Sequence, residues 1–99
     1  MTIKYRSRTD IVAQILQVVN RHGSVNKTRI MYYAFLSYEQ LNEYLAMAVR
    51  NGLLEYGTET QTYKITEKGL KYLEIYEQLE ELTAGEARQI YKVRPGHTN

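Results

Sequence analysis

Apolar residues first recur with a helical period at Ile11, Val12, Ile15, Leu16 and Val19, directly after Ser7-Arg8-Thr9-Asp10, which has the spacing of a capping box. This predicts a first helix over about 8–21, stopped at His22-Gly23-Ser24 by a glycine free to turn left-handed. Asn26 is placed to cap a second helix of about two turns carrying Ile30, Met31 and Ala34, with a tight joint at Phe35-Leu36. Ser37-Tyr38-Glu39-Gln40 is another capping box. The third helix it opens buries Leu41, Tyr44, Leu45, Ala48 and Val49 on one sector and closes at Asn51-Gly52.

The period then changes. Leu53-Leu54-Glu55-Tyr56 and Thr62-Tyr63-Lys64-Ile65-Thr66 are short β-prone runs across a polar loop, and they predict a two-stranded wing. Thr66 caps a fourth helix whose first residue, Glu67, complements the helix dipole. At Thr83-Ala84-Gly85-Glu86, one more capping box, the chain either breaks and restarts or continues as one kinked helix, and 94–99 reads as a flexible tail. The expected fold is mainly α with a small β-hairpin. Two short helices with a tight joint, followed at once by a hairpin, point to a helix-turn-helix, although an arbitrary α+β domain with no nucleic-acid role has the same helices.

The fourth helix has two apolar sectors, more than one helix can bury against its own domain. Leu70 and Leu73 are expected to pack on the domain, and Tyr72, Ile75, Tyr76, Leu79 and Leu82, at the spacing of a coiled-coil seam, to join two subunits. The competing reading folds Ile90, Tyr91 and Val93 back over the same face. Five tyrosines, Tyr32, Tyr33, Tyr44, Tyr56 and Tyr63, read as core or core-edge groups.

Composition narrows the function. Ninety-nine residues, 43% of them apolar, make one small domain whose modest core would gain from a partner subunit. With no cysteine there is no disulfide, thiolate nucleophile or zinc finger. Apolar runs such as 32–36 are far short of the roughly 20 residues that span a bilayer, so neither a membrane span nor a signal peptide is expected. His22 and His97 have no neighbours at ligand spacing. No phosphate loop, nucleophile elbow or apolar carboxylate pair appears, so no metal, no cofactor and no enzyme activity is expected. Residues 1–66 hold eight basic against five acidic groups, net +3, whereas 67–82 carry two against five, net −3. The positive part could meet an anionic polymer from which the acidic helix would be kept away.

Lys27-Thr28-Arg29-Ile30-Met31-Tyr32, Ala34-Phe35-Leu36-Ser37-Tyr38, Leu41 with Glu43-Tyr44-Leu45, Asn51-Gly52-Leu53 and the junction Tyr63-Lys64-Ile65-Thr66-Glu67-Lys68-Gly69-Leu70 together resemble the small archaeal winged-helix proteins. That family includes predicted transcriptional regulators and the coiled-coil chromatin proteins of Sulfolobus. The resemblance covers roughly 8–82. It implies a winged helix-turn-helix followed by a C-terminal dimerisation helix, binding double-stranded DNA as a homodimer in the cytoplasm, associated with the nucleoid. The organisation expected is a winged core with a basic arm over 1–66, a dimerisation segment over 67–93 and the tail.

A third helix of this kind faces the major groove. Gln40 and Asn42 are candidates to read adenine edges, and Ser37 and Tyr38 to hold phosphates, while Ser37 and Gln40 have a second reading as plain caps. Glu39 and Glu43 oppose a strong base reader. The cations lie at the edges instead: Lys4, Arg6 and Arg8 in the arm, Lys27, Thr28 and Arg29 at the start of the second helix, Arg50 at the end of the third and Lys64 in the wing. Three functions follow: a transcription regulator, a non-specific chromatin-type binder, or a winged helix that offers Glu39 and Glu43 to a basic protein partner. No residue pattern identifies a small-molecule effector.

Overall fold

The computed structural model describes the backbone of residues 6–97 and the side chains of residues 6–83. Its order is α1 (Arg8–His22), α2 (Lys27–Ala34), α3 (Tyr38–Arg50), β1 (Leu54–Gly57), β2 (Thr62–Ile65) and α4 (Glu67–His97). Lys4, proposed for the basic arm, lies outside the described residues.

Each helix starts where its cap dictates. Ser7 Oγ accepts the Asp10 amide at 3.0 Å while the Ser7 amide donates to Asp10 Oδ2 at 3.1 Å. Asn26 Oδ1 accepts the Arg29 amide at 2.9 Å, and Ser37 Oγ that of Gln40 at 3.1 Å. α2 ends differently from α1: Phe35, not a glycine, takes the left-handed conformation at φ 55°. Ile15, Leu16, Ile30, Leu41, Leu45 and Leu54 form the centre of the core, in which α1 packs on every other helix.

The hairpin is antiparallel with Leu54 opposite Ile65, Glu55 opposite Lys64 and Tyr56 opposite Tyr63. Val25 adds a one-residue bridge to it, its amide donating to Tyr63 O at 3.2 Å and its carbonyl accepting from Tyr63 N at 2.8 Å. This contact joins the α1–α2 loop to the wing, and nothing local in the sequence announces it.

The root of α4 is held tightly. Thr66 Oγ1 accepts the Gly69 amide at 3.0 Å and donates to Gly52 O at 2.6 Å. Gly69 is buried so closely against the end of β2 and the residue before β1 that a Cβ there would collide with the Leu53 carbonyl oxygen and come within 2.7 Å of Ile65 Cγ1. Gly69→Ala should therefore lower stability by about 1–3 kcal/mol through overpacking, although alanine is the better helix former by about 1 kcal/mol. Urea denaturation checks this, and an unchanged or raised midpoint would contradict it.

Four expectations need correction. Leu70 is 44% exposed, whereas Tyr72 and Tyr76, assigned to the subunit seam, pack on the chain's own core. The reason is the reach of tyrosine: Tyr72 Oη donates to Thr9 O at 3.0 Å and Tyr76 Oη to Asp10 Oδ1 at 2.7 Å, which turns this edge of α4 onto α1. Val49 is 38% exposed because it sits at the edge of the α3 stripe centred on Leu41, Leu45 and Ala48. Tyr32 is likewise on the surface, 73% exposed. Where the sequence left open a break or one continuous helix, α4 runs unbroken through Gly85 to His97. Thr83 does not cap a new helix: its hydroxyl lies 3.1 Å from Leu79 O and 3.0 Å from Glu80 O, folded back on the preceding turn.

The Tyr76–Asp10 bond also links stability to pH. The Tyr76 hydroxyl and then the Ser7 amide hold the Asp10 carboxyl below its ordinary value of 3.8, while burial and then the Asp10 bond push the Tyr76 hydroxyl well above the usual tyrosine range. A lowered native carboxyl contributes stability that is fully present above its ordinary value and lost as pH falls through the native one. Tyr76→Phe should cost about 1 kcal/mol at neutral pH, and its midpoint should converge on that of the unaltered chain as the solution is acidified. A gap independent of pH would contradict this.

Candidate functional site

The N-terminus of α2, the outer face of α3 and the wing enclose one concave surface. Lys27, half-buried at the first turn of α2, donates from Nζ to Asn42 Oδ1 at 2.8 Å and lies 5.6 Å from the centre of the Tyr38 ring. From there a groove of about 420 Å³ runs between α3 and the wing, past Ala46, Val49 and Arg50 on one side and Tyr56 and Tyr63 on the other. A hollow of about 620 Å³ continues it over Asn26, Thr28 and Gln61. Lys27, Thr28, Tyr38, Asn42 and Arg50 thus lie around one surface.

Opposite Asn42, at the other edge of α3, stands Arg8. Its guanidinium lies 5.4 Å from the Tyr44 ring centre, and its Nη1 is 3.9 Å from Glu43 Oε2. Both side chains are about two-thirds exposed, so the pair adds little stability. Its effect on the surface is larger, because a cation beside Glu43 offsets one of the two carboxylates on the outer face of α3. Lys64 lines a further hollow on the wing with Tyr56, across the strand from Glu55.

Four candidates have other tasks. Arg6 is engaged within the fold, where it donates to Ala34 O at 2.7 Å, to Phe35 O at 2.8 Å and to Gln14 Oε1. It satisfies the carbonyls that end α2, so its guanidinium is not offered to phosphate. Arg29, two positions and about 200° around α2 from Lys27, leans over the Tyr33 ring at 5.9 Å instead of joining the groove. Ser37 and Gln40 form the capping box of α3. Tyr56, 43% exposed, was not among the candidates; its register opposite Tyr63, with ring centres 4.8 Å apart, was the available signal. Among the described residues, no group of His, Cys, Asp or Glu could hold a metal ion, and no helix is long and apolar enough to cross a membrane.

Comparison with known proteins gives this geometry a family. Uncharacterized protein MJ0287 of Methanocaldococcus jannaschii is 33% identical over 76 residues, 76% of this chain and 75% of that protein. The crystal structure of Sso10a-2, described as a DNA-binding protein from Sulfolobus solfataricus, superposes with a TM-score of 0.69 at 27% identity, covering 88% of this chain and 95% of that one. The family model described as winged helix-turn-helix matches residues 5–84, a span that takes in α1 to β2, the groove beside α3 and the root of α4, and the chain belongs to that family.

Proposed function

We propose that this chain binds double-stranded DNA as a homodimer and acts in transcription regulation, by binding rather than catalysis. The observation that carries the reading is the placement of cations on both flanks of α3, Lys27 and Arg50 along the wing groove and Arg8 at the opposite edge. An α-helix about 10–12 Å across enters a major groove about 12 Å wide, and cations beside it then lie against phosphates. The similarity to Sso10a-2, described as a DNA-binding protein, supports the DNA-binding part of this reading. So does a stripe on α4, where Ile75, Leu79 and Leu82 are 54%, 56% and 71% exposed at seam spacing.

The capping geometry favours a second reading, a chromatin-type binder with little sequence preference. Ser37 and Gln40 are engaged in the cap, and Asn42 Oδ1 accepts from Lys27, so few groups on α3 are free to read bases. Fluorescence anisotropy of random and genomic duplexes across a salt series tests both. Log affinity should fall against log salt by about 0.9 per phosphate contact, and the ratio of specific to non-specific affinity separates regulator from chromatin protein. Flat anisotropy at low salt would remove the proposal.

A further inference from the structure

We propose that the exposed side of α1 is a self-association surface on which a second copy of this chain docks by a two-fold rotation. α1 shows solvent a narrow ridge of the half-buried Gln14 and Gln17, and two hollows share that ridge. On one side α4 bounds a groove of about 550 Å³ with Tyr76, Glu77, Glu80 and Glu81. On the other a hollow of about 230 Å³ is bounded by Arg21, Tyr33 and Phe35. One half of the face is therefore acidic, and the other is basic and aromatic. Arg29, over the Tyr33 ring, extends the basic half.

Within the described residues these charges find no ion-pair partner. Among the described residues the ion pairs are Arg8–Glu43 and Lys71–Glu74, and neither involves this face. The aromatic half is also rigidly presented. Tyr33 stacks on His22 at 4.9 Å and meets Tyr32 edge-on at 5.3 Å. Phe35 is 83% exposed on a left-handed backbone that Arg6 braces by donating to its carbonyl at 2.8 Å. The fold thus holds a phenyl ring in water on a backbone conformation uncommon for a non-glycine residue, and contact with another surface removes the cost of exposing that ring.

The division of charge identifies the occupant. A surface with opposite charges on either side of a ridge is its own complement under a two-fold axis through that ridge. Arg21 of one copy then faces Glu80 and Glu81 of the other, and the reverse, while Phe35 of each enters the groove floored by Tyr76. A nucleic acid on this face would meet the repulsion of three carboxylates. The surface shares no residue with the groove beside α3, and at 100° per residue Ile75, Leu79 and Leu82 lie on the opposite side of α4 from Glu77, Glu80 and Glu81. If α4 also pairs as proposed above, two different two-fold contacts link copies into an open row; the α1 contact itself does not rest on that reading.

Sedimentation velocity of the full chain without DNA, at low and high salt, tests the contact. Arg21→Glu, Arg29→Glu and Glu80→Arg, Glu81→Arg are measured singly as pairs, as an equimolar mixture, and combined in one chain. Each pair alone should weaken the salt-sensitive association about tenfold or more, and the mixture and the combined chain should restore it. Circular dichroism confirms that each variant is folded, and the combined chain keeps the charge composition of the original. The proposal is overturned if the combined chain associates no better than either pair, or if the unaltered chain shows no salt-sensitive association. It is overturned equally if the arginine pair lowers affinity for single-stranded DNA without changing the mass, which assigns the face to nucleic acid.

Discussion

Lys27→Glu combined with Arg50→Glu should abolish binding to duplex DNA at physiological salt while leaving the helical circular dichroism unchanged. Lys27 and Arg50 line the same groove beside α3, and neither belongs to the buried core. Lys27 contributes one hydrogen bond to Asn42, whose loss costs a partly exposed site about 1 kcal/mol of stability. The effect on DNA binding is larger because two attractive contacts per protomer become repulsive ones. For a dimer the salt dependence should also flatten by about 3–4 in its log–log slope. Arg29→Glu is the internal comparison. Its guanidinium lies over Tyr33, away from the groove, so it should weaken binding far less. Equal losses for Arg29→Glu and for the groove pair would place the DNA elsewhere. Retained duplex binding by the groove pair, with an altered protein contact, would favour the reading in which Glu39 and Glu43 face a basic partner.

Leu79→Glu with Leu82→Glu should convert the chain to a monomer with respect to α4 pairing and lower its apparent duplex affinity by about 10²–10⁴ through lost bivalency. Both side chains are more than half exposed in the single chain, so the substitutions leave the core intact and the thermal transition of the isolated domain is not their main readout. The driving force they remove is the burial of large apolar side chains, each worth about 1.5–3 kcal/mol when fully covered. Tyr76→Phe, in contrast, should leave the mass unchanged, because the Tyr76 hydroxyl is directed at Asp10 of its own chain. Mass measured across a concentration series separates the two. A Leu79, Leu82 variant that keeps the mass of the unaltered chain would remove the α4 seam.

The contrast between Leu79 and Tyr76 shows how far the sequence carries. Both fall in the apolar pattern of α4, and seam spacing assigns both to the subunit contact. What separates them is a phenol oxygen that finds a carboxylate 66 residues earlier in the chain. The same holds on the cationic side. Lys27 and Arg29 look equivalent as charge, but positions two apart on a helix face different ways, so helical angle separates them where charge alone does not. Arg6 carried no such signal, since its acceptors are carbonyls 28 and 29 residues away.

What the amino-acid order alone determined is the set of local decisions. The caps at Ser7, Asn26, Ser37 and Thr66 involve partners three residues apart, and the wing is a hairpin closed by a short loop. Interactions at that range depend on neighbouring residue types and backbone period, so element order and the winged helix-turn-helix pattern were readable. Tertiary structure decided which side chains of those elements are engaged and which are offered to a partner. It assigned Arg6 to the end of α2 and Tyr72 and Tyr76 to α1, left Lys27 and Arg50 beside α3, and set the acidic and basic halves of the α1 face on either side of Gln14 and Gln17. Those outcomes depend on distances between elements, which no local periodicity encodes.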